Sequence, residues 1–504
     1  MFRKKGLIFF LTTLLAVFIT SGICLAEVST PDVTKIAKNA EPAVVLVQAT
    51  FEGDVEVAYP YLDQSKLDYA LNNIIQQVMS GALPADEAAM WKALADEMAA
   101  KPLEFLQKSG QKEVFHNGYR ALGSGFIVTP DGYVVTNAHV VAPDDELLKQ
   151  QLSCPILEKS VKEFMSQIIQ ESSSIPASTR EYVVKAITGM VITYYEENVK
   201  VLNLKKTYDV GMGVQVPGVP LFQKGLKAEV VQAGGAVPKK DVAILKMEGQ
   251  NNLPTIPIGD STTLQTGNKI YVMGYPGVAT FHPLLSEASQ AQPSLTEGII
   301  SAQKTMEGGW SVFQTNADMT HGNSGGPVFN EKGEVIGLAT FGSMDQNTGQ
   351  EIAGMNFVVP MSVVKEFLDR GNVKPTESLV SKTYREALDL YYKQYYKKAL
   401  KKFQEVSALC PGHAYVQSFI ADCTKAISEG KDKSIPEWVI FGLPAVAVII
   451  IGGVIFIVVL KKKQAKQRVN AEAGTTVDAT TDATVNTTAT ASEAGTTEQA
   501  NKES

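Results

Sequence analysis

One serine stands among three glycines in the stretch Thr320 to Val328, THGNSGGPV, directly after an apolar run of strand length, Val312 to Thr315. Gly322, Gly325 and Gly326 lack the Cβ that would bar so tight a turn, so the stretch reads as a loop leaving a strand. A hydroxyl alone is a poor nucleophile. Ser324 can act only with a base to take its proton and with backbone N–H groups to hold the oxyanion that forms. Without them the stretch is an ordinary glycine-rich hairpin.

A serine nucleophile needs an imidazole that titrates near neutrality, and the imidazole needs a carboxylate to fix its tautomer. His139 ends an apolar run in VVTNAHVV, and Asp241 opens another in KKDVAILKM, where a charge is costly unless it has a partner. The chain order is His139, Asp241, Ser324. His116, His282 and His413 have no such context and read as surface or structural residues. Around these positions the text is mainly β: Phe126 to Val128 and Tyr133 to Thr136 flank a Pro130-Asp131-Gly132 turn, and short apolar runs with glycine turns continue from Val201 to Val359. Such a pattern predicts antiparallel barrels or a sandwich. Two helical insertions interrupt it. In the first, about 53–119, Leu67, Leu71, Ile74, Ile75 and Val78 recur at helical spacing, and so do Trp91, Leu94, Ala95 and Met98. The second, about 143–200, holds two helices, the first interrupted by Pro155.

Together, GSGFIVTPDGYVVTNAHVV, DVAILKM, TEGIISA and GNSGGPVFNEKGEVIGLAT resemble the HtrA/Deg serine proteases, over about Val33 to Arg370 outside the insertions. The resemblance implies a chymotrypsin-like double β-barrel with Ser324 as nucleophile, His139 as general base and then acid, and Asp241 as orienting carboxylate. It also implies an oxyanion hole from the N–H groups of Gly322 and Ser324, polypeptide substrates, and no metal or cofactor. The family's trimer is implied as well, with the first insertion falling in the region near which subunits would meet. Two residues depart from the pattern. His321 stands where the family usually has proline, and we hypothesise that it makes the loop pH-sensitive. Asp318, six residues before Ser324, takes the position of a specificity-pocket base and would there favour a basic side chain. Asn323 shares this loop. About 60 residues separate Arg370 from Trp438, too few for the PDZ domain and linker that the family carries after the protease.

Past Pro375 the text turns helical. Ala387, Tyr396, Ala399, Phe403 and Pro411 fall at the spacing of a tetratricopeptide repeat, and Ala421 would open a following half repeat. One repeat cannot close its own core, so this region is expected to pack on the protease, another subunit or a peptide. Arg3, Lys4 and Lys5 before an apolar run to Ile19, with small residues up to Ala26, have the layout of a signal peptide. Trp438 to Leu460 carries no charge and is followed by Lys461, Lys462 and Lys463, which predicts a transmembrane helix with its cytoplasmic side at the lysines. Beyond it, 461–504 reads as a cytoplasmic tail, and its Thr- and Ala-rich end from Val469 as disordered. Cys154, Cys410 and Cys423 read as buried free thiols, with a Cys410–Cys423 bridge as the alternative. A net charge of −7 without a basic stripe argues against nucleic acid as a partner.

The expected domains are a signal peptide 1–26, a protease domain 33–373, a tetratricopeptide-like region 378–430, a transmembrane helix 438–460 and the tail. The expected function is that of a single-pass membrane serine endopeptidase, its protease domain outside the cytoplasm, acting in protein quality control or regulated proteolysis. Two other readings fit the sequence. One is a catalytically silent protease fold that docks partners through its helical parts. The other is an enzyme held inactive until a partner rearranges the His321–Ser324 loop.

Overall fold

A computed structural model of the chain describes residues 32–171, 175–213, 225–286, 292–344, 351–434 and 437–473. The chain divides into two compact units, Met1–Ser434 and Ile435–Ser504. In the first unit, twelve strands form two closed barrels. The N-terminal barrel uses β1 (Val44–Leu62), β2 (Leu106–Ile127), β3 (Tyr133–Thr136), β4 (Lys200–Met212), β5 (Leu226–Ala233) and β6 (Ala243–Met247), in the spatial order β1-β2-β3-β6-β5-β4. The C-terminal barrel uses β7 (Lys269–Gly274), β8 (Ser294–Thr305), β9 (Ser311–Thr315), β10 (Pro327–Phe329), β11 (Val335–Met344) and β12 (Glu351–Pro360), in the order β10-β11-β12-β9-β8-β7. The double barrel expected from the resemblance is the fold observed.

Alternation of apolar and polar residues builds these strands, because successive side chains point to opposite faces. Val47, Ala49, Phe126, Val134 and Leu245 are buried in the first barrel; Ile270, Val272, Phe313, Ile336 and Val358 form the core of the second.

The first insertion is shorter than expected. β1 runs on past Thr50 to Leu62 and pairs with β2 throughout, from Val44 opposite Phe126 to Leu62 opposite Leu106. Only 63–105 leaves the sheet. That segment carries helices Gln64–Met79 and Glu87–Ala100, started by Asp63 and Asp86, whose carboxylates accept from the first-turn amides. The second insertion is a pair of helices, Asp145–Glu171 and Ala177–Asn198. Pro155 does not interrupt the first. Leu148, Leu152, Leu157 and Met165 are buried on both sides of it, and this packing holds the helix across the missing N–H.

Helices Leu379–Tyr392, Tyr396–Leu409 and Val416–Ser428 follow the barrels. Ala387, Ala399 and Phe403 are fully buried among them, as close helix packing requires. Ala421 is exposed and Cys423 takes the buried place, so no half repeat opens at Ala421. The helices pack on the protease: Ser381 Oγ donates to the Thr255 carbonyl (2.9 Å) and accepts from Thr255 N (2.7 Å). Cys410 and Cys423 are free thiols rather than a bridge, and Cys154 is exposed rather than buried.

In the second unit one helix spans Glu437–Ala473, so the expected tail begins as helix. The expected membrane span is not supported: among the described residues no helix is long and apolar enough to cross a membrane. The apolar stretch whose side chains are described, Val448 to Leu460, is exposed and falls short of the roughly 20 residues that a bilayer core demands. The side chains of 437–447, the signal peptide 1–26 and the tail beyond Ala473 lie outside the described residues.

Candidate active site

Asp241 enters the first barrel just before β6, with no exposed surface. Three donors meet its carboxylate: His139 N reaches Oδ1 at 2.9 Å, His139 Nδ1 lies 2.7 Å from Oδ2, and Thr340 Oγ1 donates to Oδ2 at 2.6 Å. Asn137 Nδ2 donates to the Asp241 carbonyl at 2.7 Å and steadies the backbone behind it. A buried charge is tolerable in this form because its lone pairs are occupied. The bond to Asp241 assigns the proton of a neutral His139 to Nδ1 and leaves Nε2 as the acceptor.

His139 sits on a helical turn, Ala138–Val141, one-third exposed. Burial alone would pull its pKa down, but the charge of Asp241 and the hydrogen bond to it outweigh burial and hold it above the ordinary value of 6.5. Only the neutral imidazole can accept the serine proton. Activity should therefore appear as pH rises through this raised value, with the acid limb of kcat/KM centred above pH 6.5. The ion pair's contribution to stability has the opposite sense: complete at low pH, it fades as pH rises through the same value. A limb centred at or below the ordinary value would refute the assignment. The profile of His321→Pro from pH 5 to 8 tests that loop residue; a constant ratio to wild type removes it as a pH element.

Ser324 lies between β9 and β10, on the second barrel. Its hydroxyl donates to the Thr340 carbonyl at 2.9 Å. Thr340 thus touches both Ser324, through its backbone, and Asp241, through its side chain. The loop is pinned from the first barrel by Ser124: Ser124 N donates to the Ser324 carbonyl (2.7 Å), Ser124 Oγ donates to the Gly322 carbonyl (2.6 Å), and Ser124 Oγ accepts from Tyr275 N (2.8 Å). Gly322 and Gly325 have φ of +102° and +87°, and a Cβ there would come within 2.3 Å of Tyr275 O and 2.2 Å of Ser124 O. Only glycine fits.

The His321 carbonyl accepts from Gly277 N at 2.7 Å. Across a trans peptide the N–H points opposite to the C=O, so this bond turns Gly322 N away from Gly277. Among the described residues Gly322 N and Ser324 N meet no protein acceptor. That is the condition for an oxyanion hole.

A cavity of about 810 Å³ opens over the site, lined by His139, Ser324, His321 and Gly322 together with Met319 and Asn356. Asp318 is not among its lining residues. Thr315 Oγ1 accepts from Ala317 N (3.0 Å), a turn that buries Ala317 and leaves Asp318 exposed, its carbonyl accepting from Thr296 Oγ1 (2.8 Å). The expected basic-residue pocket is therefore corrected. Asn323 is buried against Gly274 beneath the loop, outside the cavity. His116 is exposed and pairs with Asp54, His282 is exposed, and His413 is buried against Tyr384 with its pKa pushed down to about 4 by burial. Among the described residues no cluster of His, Cys, Asp and Glu is arranged to hold a metal ion.

Sequence reasoning missed Thr340, Ser124 and Asn356. Thr340 and Ser124 lie inside GEVIGLAT and GSGF, where a hydroxyl beside small residues, Ala339 for the one and Gly123 and Gly125 for the other, was the available signal. Asn356 left none.

Residues 123–338 match the trypsin-like peptidase domain. The chain is 26% identical over 343 residues to the "Probable periplasmic serine endoprotease DegP-like" of Pseudomonas putida, covering 67% of this chain and 48% of that protein. It is 30% identical over 254 residues to the protein of the same name from Halomonas elongata, covering 50% and 35%. To the "Serine endoprotease DegS" of Salmonella typhimurium it is 31% identical over 134 residues, covering 26% and 34%. The chain thus spans about half or less of the length of these relatives. With His139 paired to Asp241 and lining one cavity with Ser324, the chain carries a trypsin-like peptidase domain similar to those of DegP-like and DegS serine endoproteases.

Proposed function

We propose that the chain hydrolyses peptide bonds in extracytoplasmic polypeptides through Ser324, His139 and Asp241. The observation that carries the reading is the 2.7 Å pairing of a fully buried Asp241 with His139, on one cavity with Ser324 and the open amides of Gly322 and Ser324. Ser324 Oγ rotates from Thr340 toward His139 Nε2, gives up its proton and attacks the scissile carbonyl. The oxyanion is met by the two amides. His139 then protonates the leaving amine to yield the acyl-enzyme, and a water activated by the same imidazole releases the acid and restores Ser324.

The periplasmic naming of the relatives and the leader-like N-terminus support action outside the cytoplasm. The uncharged run 438–460 before Lys461 to Lys463 supports tethering to the membrane. The parked hydroxyl of Ser324 favours one variant of this reading, an enzyme that rests until substrate or a partner engages the loop.

The test uses the full-length chain and its Ser324→Ala variant in cell fractions, treated with a fluorophosphonate probe and unfolded casein. Labelling and cleavage that require Ser324, in a membrane fraction released only by detergent, are expected. Absence of both, in every fraction, would leave the silent scaffold.

A further inference from the structure

The recess beside Ser324 has a polar floor. Asn356 on β12, paired with Thr315 of β9 and with Gly342 of β11, lines the cavity that Ser324 also lines. The residue is only 5% exposed. Its Nδ2 donates to the Ala317 carbonyl at 2.9 Å, which fixes the amide, since a carbonyl requires the donor end. Oδ1 is thereby turned away from Ala317 and toward Gly342, where an added Cβ would lie 2.8 Å from it. Among the described residues Oδ1 meets no donor, yet it is not among the fully enclosed polar atoms that lack a partner. It is an acceptor open to the cavity.

The rest of the recess is neutral on this side. Met319, Phe341 and Gly342 line it, among the described residues no carboxylate does, Arg120 is a cation elsewhere on the cavity wall, and Asp318 is exposed outside it. A lysine or arginine side chain entering here would bury its charge without a counter-charge. A purely apolar side chain would cover Oδ1 and leave it without water or donor, the circumstance in which a site rejects an analogue lacking the hydrogen bond.

We infer that Asn356 makes the subsite for the residue preceding the scissile bond selective for an uncharged side chain with an O–H or N–H donor, as in serine, threonine or asparagine. The inference rests on the proteolytic reading above and specifies its substrate class.

The experiment uses the full chain and octapeptides spanning a mapped casein cut, varied only at that residue: threonine, its isostere valine, leucine and lysine. Wild type is expected to favour threonine over valine by about 3- to 10-fold in kcat/KM, the worth of one net hydrogen bond. Asn356→Ala is expected to abolish that preference and to raise leucine, and Asn356→Asp to raise lysine. A wild-type ratio of one or below overturns the inference whether or not the variants fold. So does a ratio that Asn356→Ala, shown by fluorophosphonate labelling to be folded, leaves unchanged. If wild type cleaves no peptide and takes no label, proteolysis itself fails. Cleavage with the wrong preference fails only the subsite.

Discussion

Ser324→Ala is expected to lower casein turnover by about 10⁶-fold, the scale on which removal of a nucleophile acts when the rest of the machinery stays in place. Its effect on the fold should be small. The hydroxyl makes one hydrogen bond, to the Thr340 carbonyl, and the residue is half-buried, so its loss costs about 1 kcal/mol of stability or less. The bonds that shape the loop run through its backbone: the Ser324 carbonyl receives Ser124 N, and Gly325 N reaches the Ala339 carbonyl at 2.8 Å. Turnover of the folded variant within 100-fold of wild type would show that Ser324 is not the nucleophile.

Asp241→Asn should lower kcat by about 10⁴-fold. The carboxylate accepts on both oxygens, from His139 N on Oδ1 and from His139 Nδ1 and Thr340 Oγ1 on Oδ2. An amide offers one oxygen. If that oxygen stays with His139 N, the NH₂ faces Nδ1, the imidazole must carry its proton on Nε2, and it can no longer accept from Ser324. If it stays with Nδ1, the NH₂ opposes the His139 amide and the loop shifts. Either way the acid limb set by the raised His139 pKa should fall toward or below the ordinary histidine value. Thr340→Val removes a single donor and should cost far less. A kcat for Asp241→Asn within tenfold of wild type, with the wild-type pH limb, would refute the role given to the carboxylate.

These effects rest on residues that could be read from the sequence because their signals are local. His139 closely follows a strand, Asp241 closely precedes one, and Ser324 sits between Gly322 and Gly325, whose positive φ values the loop requires. The barrels were legible for the same reason, since alternating burial writes itself into neighbouring residues. The distal arm of β1 and β2 was not. From Gln107 to Val114, β2 is almost wholly exposed and owes its extended form to pairing with β1, as where Val57 lies opposite Glu113. Pairing across 56 residues leaves little local pattern. The choice between Asp318 and Asn356 was hidden in the same manner. Which of them faces the cavity follows from the turn at Ala317 and from the register of β12 against β9 and β11, both long-range facts.

The groups proposed to react are also divided between the two barrels: His139 and Asp241 ride on the first, and Ser324 and Thr340 on the second. Ser124 is the buried fastening at the seam, reaching from β2 to the carbonyls on either side of Asn323. Geometry across this seam therefore depends on the alignment of two barrels that share one apolar cluster, in which Val47 and Leu245 of the first join Met273 and Leu338 of the second. A slip of an ångström along the seam would silence the enzyme while every strand stayed paired. On heating, and earlier still in Ser124→Ala, activity should be lost before the far-ultraviolet signal of the sheets.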